Sequence, residues 1–248
     1  GSYLVHNIYK INKIKKTFVI DNFKSTNINS LFKVNKKNKL KFFQKNLTNK
    51  NSLDELKKID YVIHLASMTN AAGSFIKKKE MYKNNLSCFK NILNFCIKNK
   101  AKLIHISSTS VYGKQASLVD ETCERKYLKP QSPYADIKLI EENILKKLKN
   151  KIKYTTFRFG TISGVSKGMR FHTAVNRFCL DASLNNNINV YKTALNQFRP
   201  YLSLNDAFKV FKFTIEKDFF KNDIYNALSE NCTVMDILNK IKKYKKKI

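Results

Sequence analysis

The feature that most constrains the fold is segment 104–138, where an apolar run stops at a cluster of hydroxyl side chains and a helix then begins. The run I-H-I-S-S-T-S-V-Y-G, residues 104–113, has the composition of a buried parallel strand that ends in a polar turn. Doubly wound sheets bind their ligands at the carboxyl ends of such strands. The segment therefore predicts an α/β fold with a parallel sheet and a site at its carboxyl edge.

The second half of this segment, S-P-Y-A-D-I-K, predicts the start of a helix, because Ser132 can cap it and Pro133 suits its first position. Tyr134 and Lys138 are four residues apart and share one helix face. A nearby ammonium favours a phenolate, so we expect Lys138 to lower the pKa of Tyr134 from its usual value of about 10. Ser108, at the strand end, is expected to hold the substrate oxygen whose proton moves. A Y-x-x-x-K pattern alone also fits an exposed helix face.

The order of strand, hydroxyl cluster, V-Y-G and S-P-Y-x-x-x-K resembles the extended short-chain dehydrogenase/reductase family, the NAD-dependent nucleotide-sugar epimerases and dehydratases. The resemblance implies a Rossmann-like doubly wound parallel sheet with a small α/β substrate lobe. It assigns catalysis to Ser108, Tyr134 and Lys138, and places the last two beside the cofactor as well. The implied domains are an NAD-binding domain at 1–165 and a substrate-binding lobe at 166–248, with elements that return to the first domain.

The implied NAD site draws on the first half of the chain. Asp21, at the end of a predicted strand over 17–20, would bind the ribose hydroxyls and favours NAD over NADP, although a turn aspartate is the alternative. The asparagine expected to brace the cofactor pocket is Asn85, with Asn84 as the other candidate. The remaining implied cofactor contacts follow the predicted strands or begin the chain: Gly1, Asn22, Asn46, Leu47, Leu65 and Ala66.

A first strand and a complete Gly-rich turn do not precede Asp21 in this sequence. Gly1 resembles the third glycine of the family's G-x-x-G-x-x-G, or else Gly1 and Ser2 are foreign to the natural chain. We therefore expect an incomplete copy of a longer protein, shortened at both ends, that binds a dinucleotide poorly as it stands. A helix is also predicted from the start of the chain to about Lys16.

The expected substrate contacts are Ser108, Thr109, Asn176 and Arg199, with Arg199 clamping a diphosphate. The resemblance implies epimerisation of a nucleotide-activated sugar at C4 through a 4-keto intermediate. The alternatives are a keto-sugar reductase or dehydratase using NAD(P), or a noncatalytic binding protein of the same fold. Dehydratases of the family resemble T-D-E-V-Y-G, whereas this chain has Thr109 and Ser110 at the acidic positions.

The net charge of +30 raises the question of nucleic-acid binding. The charge is almost entirely lysine spread along the chain, which indicates solvated faces rather than a specific nucleic-acid site. The five cysteines lack metal-ligand spacing, and no apolar run is long enough for a membrane span, so we expect a cytoplasmic protein without a metal. A homodimer through helix 80–98 and the Tyr134 helix is implied by the resemblance.

Overall fold

The computed structural model describes residues 1–24, 28–70, 72–115 and 118–245. The strands are β1 (Thr17–Asp21), β2 (Leu40–Gln44), β3 (Tyr61–His64), β4 (Lys102–Ser108), β5 (Tyr154–Phe159), β6 (Thr161–Ser163), β7 (Arg199–Ser203), β8 (Ile224–Ala227) and β9 (Glu230–Cys232). The α-helices are α1 (Ser2–Asn7), α2 (Lys78–Asn99), α3 (Pro133–Lys147), α4 (Ala174–Ser183), α5 (Leu204–Glu216) and α6 (Val234–Lys245).

The predicted α/β class with parallel sheets is confirmed. Strands β3, β4, β5 and β8 form a parallel sheet in the order β3-β4-β5-β8, and β1 pairs with β2 in a separate parallel pair. A third, mixed sheet contains β6, β7 and β9. All residues of β5 are buried, as expected for a parallel strand that is covered on both faces.

Helices cover both faces of the four-stranded sheet. Leu103 packs into an apolar cluster with Phe89 of α2 and Leu145 of α3. Its neighbour Ile104 points to the opposite face and packs into a cluster with Phe211 of α5. Strand β4 is therefore covered on both faces. Because it also has β3 and β5 as neighbours, its carboxyl end lies within the carboxyl edge of the sheet and not at a corner.

A third apolar cluster contains only residues after position 166, contributed by α4, β7, β9 and α6: Phe178, Tyr201, Cys232, Val234 and Ile237. A separate small core is what an independent lobe requires. Helix α5 instead packs on the main sheet, as Phe208 and Phe211 do in the first cluster. The division of the chain near 165 stays a prediction.

Two local predictions differ from the structure. The first helix ends at Asn7 rather than near Lys16, and a short 3-10 turn to Lys10 follows. Asparagines at 7 and 12 are poor helix formers, which explains the early end. The sequence also predicts a short helix from Ser52, as its cap, through Lys58, but the structure has turns at 51–55 and no helix in this segment, since so short a segment does not sustain one. Strands β6, β7 and β9 lacked a clear alternation in the sequence.

Within the described residues, no helix combines the length and the apolar character that a membrane crossing requires.

Gly113 is the glycine whose replacement is expected to damage the fold. Its φ is +65°, and a Cβ there would lie 1.8 Å from the carbonyl oxygen of Lys129. We predict that Gly113→Ala lowers the free energy of unfolding by at least about 2 kcal/mol, because both strain and a backbone clash must be relieved. Chemical denaturation of the two proteins measures this. Gly1→Ala is the control, since a Cβ at Gly1 meets nothing within 4 Å; equal stability of G113A and wild type would contradict the prediction.

Candidate active site at the carboxyl edge of the sheet

Ser108 ends β4 and caps the short 3-10 turn 109–112. Its Oγ accepts hydrogen bonds from the backbone N–H of Ser110 at 3.2 Å and from the Ser110 hydroxyl at 2.9 Å. Both acceptor positions of Ser108 are therefore used, and its own O–H remains as the donor. Ser108 is thus arranged to donate a hydrogen bond to an oxygen placed beyond the strand end.

Tyr134 and Lys138 lie on the predicted helix, whose N-cap is Ser132 with Pro133 as its first residue. The Ser132 hydroxyl accepts from the Ala135 N–H at 3.3 Å, as expected for a cap. The Lys138 ammonium lies 5.9 Å from the centre of the Tyr134 ring, so the two share one face. Helix α3, which carries Tyr134 and Lys138, packs against both β4, which ends at Ser108, and the 109–112 turn.

Lys138 is buried, and its ammonium donates to Glu141 Oε2 at 2.8 Å. Glu141 Oε2 also accepts from His105 Nε2 at 2.9 Å. His105 belongs to β4, and its Nδ1 lies 3.2 Å from the Thr156 hydroxyl of β5. This chain of contacts joins the helix to the two central strands, and sequence reasoning did not anticipate it.

The pKa of Tyr134 is raised rather than lowered, which differs from the sequence-based expectation. Burial raises this pKa, the Lys138 ammonium opposes that effect, and the Glu141 carboxylate adds to it. The expectation considered Lys138 alone. In the structure a carboxylate at hydrogen-bond distance offsets the charge of the ammonium, so burial decides the direction.

A second buried pair lies next to the first. Glu142 accepts two hydrogen bonds from Arg158 of β5, at 3.0 Å from Nε and at 2.7 Å from Nη2. The Ser107 hydroxyl also donates to Glu142 Oε1, at 2.6 Å. The Arg158 guanidinium lies 4.9 Å from the centre of the Tyr112 ring. This network fixes α3 against β4 and β5, and therefore fixes the helix that carries Tyr134.

The predicted cofactor residues of the first half lie after the carboxyl ends of β1, β2 and β3. The exposed Asp21 ends β1, and its Oδ1 accepts only from the backbone N–H of Phe23 among the described contacts. The side-chain oxygens of Asn22 and Asn46 accept similar local hydrogen bonds from the backbone N–H groups of Lys24 and Thr48. Leu47, Leu65 and Ala66 follow their strands directly. The structure brings these residues to the carboxyl ends of the strands.

Asn85 of α2 holds the loop that follows β3. Its side chain donates to the Met68 carbonyl at 3.0 Å and accepts from the Met68 N–H at 2.8 Å, while Asn84 donates to Asn85 Oδ1 at 3.0 Å. Asn85 is buried and is the asparagine that braces this loop. Of the two asparagines, its position fits the predicted role.

Loop 164–173 lies beside the start of α1 and the loop after β3. Ser2 Oγ accepts from Gly168 N at 3.0 Å and donates to Ser166 Oγ at 3.0 Å. Arg170 donates to the hydroxyl of Thr69. Gly1, which precedes α1, therefore lies near both loops.

The predicted substrate residues are more dispersed. Thr109 donates to the Phe159 carbonyl at 3.3 Å. Asn176 is buried. Its side-chain oxygen accepts a hydrogen bond from the Gly164 N–H, and its side-chain nitrogen donates to the Arg170 carbonyl within the neighbouring loop. The exposed Arg199 donates to Gln197 at 2.9 Å. Of these side chains, the amide of Asn176 is already engaged by backbone groups, so its nucleotide contact stays a prediction.

Asp206 and His64, two polar residues that the sequence alone predicts to be a helix cap and a packed core histidine, have structural roles. Ser203 is the N-cap of α5 and accepts from the Asp206 N–H at 3.0 Å, while its hydroxyl donates to Asp206 Oδ2 at 2.9 Å. Asp206 is thus part of the cap rather than the cap residue itself. His64 is buried against Phe89, and burial lowers its pKa to about 3, so it is uncharged at neutral pH.

We predict that Asn85→Leu weakens NAD binding by the full-length protein by about tenfold, because Met68 loses both side-chain partners and the loop after β3 loses its fixed position. Isothermal titration with NAD measures the change. Asn99→Leu is a matched control on the same helix, since Asn99 donates to the Phe95 carbonyl within the helix and not to this loop. Unchanged NAD affinity in N85L would contradict the prediction.

A family model described as the NAD dependent epimerase/dehydratase family matches residues 1–227. The dTDP-D-glucose 4,6-dehydratase of Dictyostelium discoideum is 27% identical over 261 residues, with 97% of this chain and 58% of that protein covered. The chain thus spans less than two thirds of the length of this curated relative.

Two solved structures have the same fold. UDP-glucuronic acid 4-epimerase from Bacillus cereus, in complex with UDP-glucuronic acid and NAD, matches with a TM-score of 0.82 and 25% identity over 98% of this chain and 79% of that chain. UDP-N-acetylglucosamine 4-epimerase from Methanobrevibacter ruminantium M1, in complex with UDP-N-acetylmuramic acid, matches with a TM-score of 0.83 and 24% identity over 96% and 76%. The match to these structures shows the Rossmann-like fold.

Proposed function

This chain belongs to the NAD-dependent epimerase/dehydratase family, and we propose that it serves NAD-dependent epimerisation, at C4, of a nucleotide-activated sugar through a transient 4-keto intermediate. The observation that carries the proposal is the arrangement of Ser108, Tyr134 and Lys138. Ser108 ends β4 with a donor hydrogen available, and the helix that packs against β4 and the following turn carries a phenol and a buried ammonium on one face, which supports the proposal. The solved relative from Bacillus cereus contains bound NAD, which supports NAD as the cofactor.

In this proposal each side chain has one task. Tyr134 Oη takes the proton of the C4 hydroxyl as the carbonyl forms and returns it when the hydroxyl is restored. Ser108 donates a hydrogen bond to the same substrate oxygen. Lys138 stabilises the phenolate form of Tyr134 by its charge. Bound NAD would supply the exchange of hydride, which side chains cannot carry out.

The residues near the strand ends suit NAD by their chemistry. The Asp21 carboxylate is exposed and has acceptor capacity left for ribose hydroxyls, while its negative charge disfavours a 2′-phosphate. Asn85 holds the loop against which the cofactor would lie. The other proposed cofactor contacts are Gly1, Asn22, Asn46, Leu47, Leu65 and Ala66, with Tyr134 and Lys138 at the nicotinamide end.

Epimerisation is favoured over dehydration by the residues after Ser108. Elimination of water requires an acid and a base in addition to the tyrosine, and carboxyl groups serve this purpose in the dehydratase pattern. Thr109 instead donates to the Phe159 carbonyl, and Ser110 donates to Ser108. A hydroxyl side chain is a much poorer acid and base than a carboxyl group near neutral pH.

Arg199 and Asn176 are proposed to bind the nucleotide end of the substrate, together with Thr109 near the sugar. The lobe after residue 166 would supply these contacts. Arg199 is exposed and interacts with a neutral glutamine, so its guanidinium can turn to a diphosphate. A cytoplasmic homodimer through the paired helices α2 and α3 is part of the same proposal.

A panel of UDP-, GDP-, CDP-, ADP- and dTDP-sugars, incubated with the full-length protein and NAD, tests the proposal. Epimerisation gives a product of unchanged mass with a new C4 configuration, dehydration gives a product that has lost water, and a keto-sugar reductase running in reverse oxidises the sugar and forms NADH stoichiometrically. We expect the first outcome. A product lacking water would favour the dehydratase. Binding of NAD and sugar without turnover would favour a noncatalytic protein of the same fold.

A further inference from the structure

We propose that Glu141, fixed by His105 on β4, is a positioning residue that holds the Lys138 ammonium on the face of α3 and compensates its charge beside Tyr134. The inference rests on the proposed function and adds two residues to it. The sequence pattern predicted that Tyr134 and Lys138 act as a pair. In the structure, Glu141 and His105 extend this pair to a group of four side chains.

The geometry fixes the Glu141 carboxylate firmly. Oε2 accepts from both Lys138 Nζ, at 2.8 Å, and His105 Nε2, at 2.9 Å. Because a carboxylate only accepts, His105 carries a proton on Nε2, and its Nδ1 is then free to accept from the Thr156 hydroxyl at 3.2 Å. The strand thus fixes the carboxylate, and the carboxylate fixes the ammonium.

Charge is the second part of the argument. Lys138, Glu141 and His105 are all buried, so their interactions are weakly screened. Burial opposes ionisation of Glu141, yet Lys138 and His105 hold its pKa at about 2. Burial likewise opposes the charge of Lys138, but Glu141 leaves the pKa of Lys138 above its ordinary value. The two groups are therefore an ion pair with no net charge next to the phenol.

The other titratable groups around this pair do not replace its effect. From β3, His64 is uncharged, since burial lowers its pKa to about 3. From α2, Cys88 is an uncharged thiol, since burial raises its pKa to about 11. On α3 itself, Glu142 is paired with Arg158. Arg170, on loop 164–173, is the further cation that acts on Tyr134.

The contribution of Glu141 can be measured without any turnover. We compare wild type, Lys138→Met, Glu141→Gln and the double variant K138M/E141Q in the full-length protein. The ionisation of Tyr134 is followed as the ultraviolet difference between each protein and the same protein carrying Tyr134→Phe. This readout reports the charge around the phenol, which a purely structural role of Glu141 does not change.

We expect Glu141→Gln to lower the pH at which Tyr134 ionises by about one unit, because the ammonium then acts without its counter-charge. Lys138→Met should raise the pH at which Tyr134 ionises, because the carboxylate then acts without the ammonium. The double variant should titrate within about half a unit of wild type, since it removes both members of a compensated pair. An unchanged titration in E141Q, or a rise of about one unit or more in K138M/E141Q, would overturn the proposal.

Glu142→Gln combined with Arg158→Met is the matched control, because it also removes a buried negative charge from α3, leaves no unpaired buried charge, and leaves the contact between Lys138 and Glu141 intact. Its Tyr134 titration should stay close to that of wild type. If E141Q does not fold, the double variant decides alone, since it leaves no unpaired buried charge.

Activity gives an independent second readout. If the sugar panel identifies a substrate, the acidic limb of kcat/KM against pH should move to lower pH in E141Q by the same amount as the titration. If no sugar is turned over and the titrations still shift as expected, the proposed function fails while this inference stands.

Discussion

Replacing Tyr134 with phenylalanine is expected to lower kcat for epimerisation by about 1,000-fold, within the range that a positioned general base contributes. The variant removes the one oxygen that takes the C4 hydroxyl proton and keeps the ring that packs beneath the Lys138 ammonium. Affinity for NAD should therefore change little. The measurement is steady-state turnover of the best sugar from the panel, with NAD binding measured in parallel.

Tyr112→Phe is the matched control for this variant. Tyr112 also lies near the strand end, but its hydroxyl donates to Asn226 at 2.9 Å and not towards the site. Y112F should retain most of the turnover. Retention of more than about a tenth of wild-type kcat in Y134F would be incompatible with Tyr134 as the base.

The largest expected effect on stability belongs to the buried pair of Arg158 and Glu142. Arg158→Met leaves the Glu142 carboxylate buried, with the Ser107 hydroxyl as its one remaining partner among the residues that the structure describes. We expect the free energy of unfolding to fall by about 3–5 kcal/mol, because an uncompensated charge stays in the interior. Urea denaturation of the full-length protein, at constant NAD concentration, provides the measurement.

Two further variants separate the charge effect from the loss of packing. R158M combined with Glu142→Leu removes both charges and should regain a large part of the lost stability. Lys240→Met breaks an exposed pair with Glu230 and should leave stability nearly unchanged. A loss of less than about 1 kcal/mol in R158M would show that the pair does not fix α3 to the sheet.

The sequence predicted those parts of the fold that depend on local patterns. The apolar run before Ser108, the cap at Ser132 and the amphipathic pattern of α2 each follow from short-range rules, and the structure has these elements at or near the predicted positions. The α/β class followed from their order. Strands β6 and β9 have three residues each, too few to show an alternation, so they appeared only in the structure.

The interior of the site could be predicted less well for a physical reason. Glu141 and Glu142 stand in the helix sequence as two acidic residues among lysines, which is the pattern of an exposed face. Their burial depends on His105 and Arg158, which reach them from strands that are distant in sequence. The spacing of Lys138 and Glu141 permitted an ion pair, but only the packing of α3 on β4 shows that it is buried. The raised pKa of Tyr134 follows from this tertiary arrangement.

The most direct test of the account uses a nucleotide sugar that carries deuterium at C4, incubated with the full-length protein and unlabelled NAD. If the phenol of Tyr134, the hydroxyl of Ser108 and the ammonium of Lys138 act on a C4 alcohol beside the nicotinamide, the epimer should form with its deuterium retained at C4. Loss of the deuterium to solvent, or inversion at another carbon, would contradict the account.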